Sequence, residues 1–150
     1  LEAGTWRLIR EFALPEMNLS SAGVNAGGTR LLRGSWDGDI EFVDVQSGEA
    51  IRRKRAFAGQ YTAGIAFLAD ERHAIVVNAS ARAVTLWDTT TQTRVRDIRG
   101  HLLAGHGAGR SGDGQRLISG SGLPESAKIW DLRMDVVREL VNLKAPGTLF

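Results

Sequence analysis

The chain has 150 residues, 43% of them hydrophobic and 24% charged, a size and balance that suit one folded domain with a buried core. No apolar run approaches the ~18 residues of a membrane-spanning helix, and the absence of cysteine excludes disulfides and thiolate metal sites. The 19 basic residues against 17 acidic ones leave a net charge of +2, too weak a field to indicate nucleic acid by itself.

The sequence opens Leu1-Glu2-Ala3-Gly4, without an initiator Met or a signal-peptide pattern, and reads as a stretch of a longer polypeptide. Its first element is an outer strand within 1–12, carried by Leu8-Ile9-Arg10-Glu11-Phe12. Strands then follow at 17–24, 30–33, 39–43 and 50–55. A second set lies at 63–68, 73–78, 83–87 and 94–98, and a third at 103–109, 116–119, 128–130 and 136–141. Each is a short run with β-branched or aromatic residues, bounded by Gly, Asp, Ser or Asn. The inner strand at 103–109 is the weakest, because Gly105, Ala108 and Arg110 stand where apolar residues are usual. No segment carries a helical apolar period, so the chain is predicted to be all-β.

The elements repeat. Asp37-Gly38-Asp39-Ile40-Glu41-Phe42-Val43-Asp44, Ala81-Arg82-Ala83-Val84-Thr85-Leu86-Trp87-Asp88 and Glu125-Ser126-Ala127-Lys128-Ile129-Trp130-Asp131 align, with terminal aspartates 44 and then 43 residues apart. A period of about 40–45 residues holding several short strands is the mark of a β-propeller blade. The predicted blades are 13–57, 58–100 and 101–143. The segment 1–12 then belongs to a neighbouring or closing blade, and 144–150 is a tail or the start of another.

These repeats resemble the WD-repeat family over nearly the whole chain. The fullest stretch runs from Gly100-His101 through Ser111-Gly112-Asp113-Gly114 and Leu117-Ile118-Ser119-Gly120-Ser121 to Trp130-Asp131. The second blade keeps Leu86-Trp87-Asp88 with Gly59-Gln60 in place of Gly-His, and the first has Val43-Asp44 in place of Trp-Asp. The resemblance implies a buried hydrogen-bonded chain of a His, a Ser or Thr, an Asp and the Trp, of which the third blade keeps His101, Ser119 and Trp130 without the Asp, the first blade only Asp37 and the second only Trp87. It also implies a non-catalytic scaffold that binds a peptide or partner domain on the loop face between blades. By position its contact residues are Arg33, Trp36, Tyr61, Ser80, Arg82, Leu103 and Leu123. The expected setting is intracellular and cytoplasmic.

Other chemistries fit the residues less well. Gly107-Ala108-Gly109-Arg110-Ser111-Gly112 matches a dinucleotide-binding pattern, but a turn and a strand follow it where a helix N-terminus would have to meet the phosphates. The three histidines, His73, His101 and His106, show no metal spacing, and no nucleophile elbow is present. Asp37 and Asp39 are read as turn residues, and no cofactor or metal is expected. The runner-up function is a basic surface for nucleic acid or acidic lipid, using Arg33, Arg52, Arg53, Lys54, Arg55 and Arg82. A third reading is a regulatory arm of an enzyme whose active site lies elsewhere. A ring needs at least about four blades, so three imply self-association or further blades in the parent chain.

Overall fold

The computed structural model describes residues 11, 17–79, 83–99, 105–121, 125–133 and 138–144. They form twelve strands in three antiparallel four-stranded sheets. The first sheet holds β1 (Leu19–Val24), β2 (Arg30–Ser35), β3 (Asp39–Asp44) and β4 (Ala50–Arg55) in chain order. The second holds β5 (Thr62–Phe67), β6 (His73–Asn78), β7 (Ala83–Asp88) and β8 (Thr93–Arg99). The third holds β9 (Gly105–Arg110), β10 (Arg116–Ser121), β11 (Glu125–Asp131) and β12 (Arg138–Lys144). The inner strand β1 lies against β5, and β5 against β9. The architecture is a partial β-propeller of three blades. The outer strand predicted within 1–12 and the tail at 144–150 lie outside the described residues, except for Glu11, which has no regular structure, and Lys144, the last residue of β12.

Side-chain acceptors close the tight turns, which explains the recurring small polar residues. At the β1–β2 turn Asn25 Oδ1 accepts from the amides of Thr29 (2.9 Å) and Arg30 (2.8 Å). At β5–β6 Asp70 Oδ1 accepts from Arg72 (3.0 Å) and His73 (2.9 Å), and at β9–β10 Ser111 Oγ accepts from Arg116 (2.9 Å). The repeated aspartate ending each third strand does the same for the β3–β4 type of turn. Asp44 takes the Ser47 amide (2.7 Å), Asp88 those of Thr90 (2.8 Å) and Thr91 (3.0 Å), and Asp131 that of Arg133 (3.1 Å). The periodic aspartate is therefore a turn-closing residue.

Alternation along each strand sends apolar side chains to both faces, and the core lies between blades. Leu32, Ile40 and Phe42 of blade 1 meet Ile65, Phe67, Ala74, Val76 and Trp87 of blade 2. The other face of blade 2, with Ala66, Ile75, Val77, Val84 and Leu86, packs on Leu117, Trp130 and Leu132 of blade 3. Trp87 lies across from Phe42 with ring centroids 6.3 Å apart. Close contact of inner strands requires a missing side chain at Gly23, where a Cβ would come within 2.8 Å of the Ile65 carbonyl oxygen. Polar bonds cross the same junctions: Ser20 Oγ donates to Thr62 O (2.8 Å), and Arg110 Nη1 to Phe67 O (2.9 Å). Arg110, read from sequence as a sign of weakness in β9, is thus an inter-blade tie.

The pair of indoles is handled differently in each blade. The register aligns Ser119 opposite Lys128, Val76 opposite Thr85 and Arg33 opposite Glu41. Trp130 Nε1 donates across the hairpin to Ser119 Oγ (2.7 Å). Trp87 Nε1 instead donates to Thr85 Oγ1 within its own strand (2.9 Å), and Thr85 bonds Val76 O. Blade 1 has Val43 at the indole position and places a buried ion pair, Arg33 with Glu41, at the same register. His101, the remaining member of the expected chain, lies outside the described residues.

Candidate loop-face binding site

Antiparallel order puts the β2–β3 turn and the β4–β5 connection at one end of blade 1, and the site is built there. Ser35-Trp36-Asp37-Gly38 forms a turn closed by Gly38 N donating to Ser35 O (3.2 Å). Ser35 Oγ also accepts from the amides of Asp37 (3.2 Å) and Asp39 (3.0 Å), and Trp36 N donates to Asn18 O (2.9 Å). Gly38 has φ +82°, and its carbonyl accepts from Ala56 N (2.9 Å) and Phe57 N (3.0 Å). A Cβ there would collide with the carbonyl oxygens of Phe57 and Gln60. Only glycine lets the 56–61 connection pack onto this turn.

That packing brings Tyr61 to Trp36. The ring centroids are 4.6 Å apart with planes tilted by 36°, and Trp36 remains 56% exposed while Tyr61 is half-buried. Beside the pair, Asp39 gathers two guanidinium groups. Arg53 binds its Oδ2 through Nε (3.0 Å) and Nη2 (2.8 Å), and Arg55 Nε approaches Oδ1 at 2.5 Å. The Asp39 side chain is largely buried and that of Arg55 is 59% exposed.

Of the expected contact residues, the structure brings Trp36 and Tyr61 together. Arg33 does not join them. It is 2% exposed and paired to Glu41 directly across the β2–β3 hairpin, because the register puts the two opposite each other inside the sheet. Its Nη1 is buried with no partner. Asp37, expected to be the surviving member of a buried network, is exposed in the turn, where Ser35 Oγ supplies the acceptor. Ser80, Arg82, Leu103 and Leu123 lie outside the described residues. The basic surface is also reduced: Arg33 is internal, and Asp39 holds Arg53 and Arg55. Asp39 itself was read only as a turn residue, although its register opposite Arg55 on the basic strand marks it as an ion-pair anchor. The glycine-rich stretch of blade 3 runs through β9 and a turn into β10.

At the opposite end of the blades lies a polar cleft of about 270 Å³ lined by Asn25, Thr29, Arg30, Asp70, Glu71, Arg72 and Thr90. Its charged groups are mutually engaged. Arg30 Nη1 reaches Thr90 Oγ1 (2.9 Å), Glu71 Oε2 accepts from Asn25 Nδ2 (3.0 Å), and Arg72 Nε binds Asp88 Oδ2 (2.9 Å). The Arg72 hydrogen bond, with the amides of Thr90 and Thr91, holds the Asp88 carboxyl well below the usual carboxylate range.

No protein-family model matches the chain. Over 74 residues it is 32% identical to human apoptotic protease-activating factor 1, a match covering 49% of this chain and 6% of that protein. In fold it is similar to a chain of Kuenenia stuttgartiensis hydrazine synthase, with a TM-score of 0.71 and 20% sequence identity. That superposition covers 85% of this chain and 37% of the other, so the chain spans well under two thirds of either protein. The sequence match and the fold match together support a repeat module built as a partial β-propeller.

Proposed function

We propose that this chain is a non-catalytic recognition module of the WD-repeat type, binding a peptide or partner domain on its loop face around Trp36 and Tyr61. The observation that carries the reading is the exposed indole of Trp36, packed against Tyr61 and held on a turn that Gly38 locks to the next connection. A rigid aromatic presented to solvent buries a large apolar area on binding while losing little side-chain entropy. The turn that carries it is fixed by backbone bonds, so little ordering is left to be done when a partner arrives. The similarity to apoptotic protease-activating factor 1 supports a repeat module serving protein interaction, and the partner itself is part of the proposal.

The test is selection of a random peptide library on the folded protein, in parallel with Trp36→Ala. Peptides that bind the native protein should lose about 2 kcal/mol or more of affinity with the variant, the scale of an aromatic hot spot. Binders indifferent to Trp36→Ala would place the recognition surface elsewhere.

A further inference from the structure

We infer that the loop-face site takes an acidic peptide segment, one that sets an aromatic or large aliphatic side chain on Trp36–Tyr61 and a carboxylate on Arg55. The inference rests on the loop-face reading and adds the chemistry of the ligand. Arg55 Nε lies on Asp39 Oδ1 (2.5 Å), while 59% of its side chain stays exposed. A guanidinium anchored at Nε presents its Nη edge already oriented for a carboxylate. Asp39 carries one negative charge against Arg53 and Arg55 together, so this ion cluster keeps one positive charge beside the exposed aromatic pair, while Arg52 and Lys54 alternate to the opposite face of the strand.

The Arg55 backbone is placed next to the aromatic turn, since the following two amides, of Ala56 and Phe57, both bond Gly38 O. An extended segment of a few residues spans from one anchor to the other. A nucleic-acid strand fits less well. Asp37 sits in the turn itself and opposes a run of phosphates, and Trp36 and Tyr61 pack against each other as one tilted pair, where a strand needs separate faces for successive bases.

The experiment is the same library selection, read for composition and repeated on Arg55→Gln, with a short oligothymidylate titrated separately. In Arg55→Gln, Asp39 keeps Arg53, so the fold retains its anchor, and circular dichroism checks it. On the native protein the enriched peptides should carry an aromatic or aliphatic anchor with Asp or Glu close by. Their affinity should fall about fivefold in Arg55→Gln, the upper range for an exposed ion pair. Enriched peptides that need Trp36 but show no acidic preference, or a basic one, overturn this inference and leave the loop-face reading standing. Failure of any peptide to depend on Trp36 removes both. Oligothymidylate binding that needs Trp36 and collapses with salt overturns the choice of a peptide. Should Arg55→Gln fail to fold, the peptide composition selected by the native protein decides alone.

Discussion

At the scale of single residues, Trp36 and Trp87, at contrasting depths, make the sharpest comparison. Trp87 is buried between blades 1 and 2 against Phe42, so Trp87→Ala should cost roughly 3–5 kcal/mol by leaving a core cavity. Trp36→Ala should cost about 1 kcal/mol or less, the value of its contact with Tyr61. Urea unfolding of both variants checks this, and an inverted order would exchange the roles of the two indoles. Glycines separate space from backbone strain in the same way. Gly38→Ala meets two carbonyl oxygens at φ +82° and should lose about 2 kcal/mol or more, whereas Gly59, at φ +65° with open space around it, should lose about 1 kcal/mol as Ala. Equal losses would mean that the 56–61 connection yields easily. The sequence made Trp36 legible, because small neighbours and a turn pattern surround it. Tyr61 as its partner was not legible, since a long connection brings it there. Arg33 was misread because a cation at the end of a strand looks solvent-facing until the hairpin register places Glu41 opposite it.

At the scale of elements, the turns show how a blade is tied to its neighbour. Glu71 holds φ +56°, where the equivalent turn positions are Gly28 (φ +66°) and Gly114 (φ +70°). Its carboxylate accepts from Gly27 N (3.1 Å) and Asn25 Nδ2 on the preceding blade, so inter-blade bonds offset an unfavourable backbone. Glu71→Ala should be destabilising, and Glu71→Gly should recover about 1 kcal/mol of that loss, the left-handed penalty alone. Identical stabilities in denaturant would show that the turn relaxes without its side chain. Asp88 supplies a pH test. Its carboxyl is depressed in the folded state by Arg72, so its contribution is complete above the unfolded value near 3.9 and is lost as pH falls from there toward the folded value. Melting temperature should therefore fall more steeply below about pH 4 in the native protein than in Asp88→Asn. The strands themselves were readable from β-branched runs and punctuation. The inter-blade ties were not, because Arg110, Glu71 and Ser20 all bond to chain far away in sequence.

At the scale of the whole molecule, the blades are unequal in what covers them. Leu32 and Ile75 are fully buried by the blade that follows, while Ile118 at the same register of blade 3 is 47% exposed. The 150-residue chain on its own should therefore self-associate at micromolar concentration, and Ile118→Lys should shift it toward monomer. Light scattering measures both, and a native monomer that folds cooperatively would count against the prediction. The two apolar clusters also set an order of opening. Blade 2 alone has a described blade on each side, so its amides exchange with solvent only after a neighbour has peeled away. Protection from deuterium should be deepest in β6 and β7 and shallower toward blades 1 and 3, so the chain frays from its flanks inward.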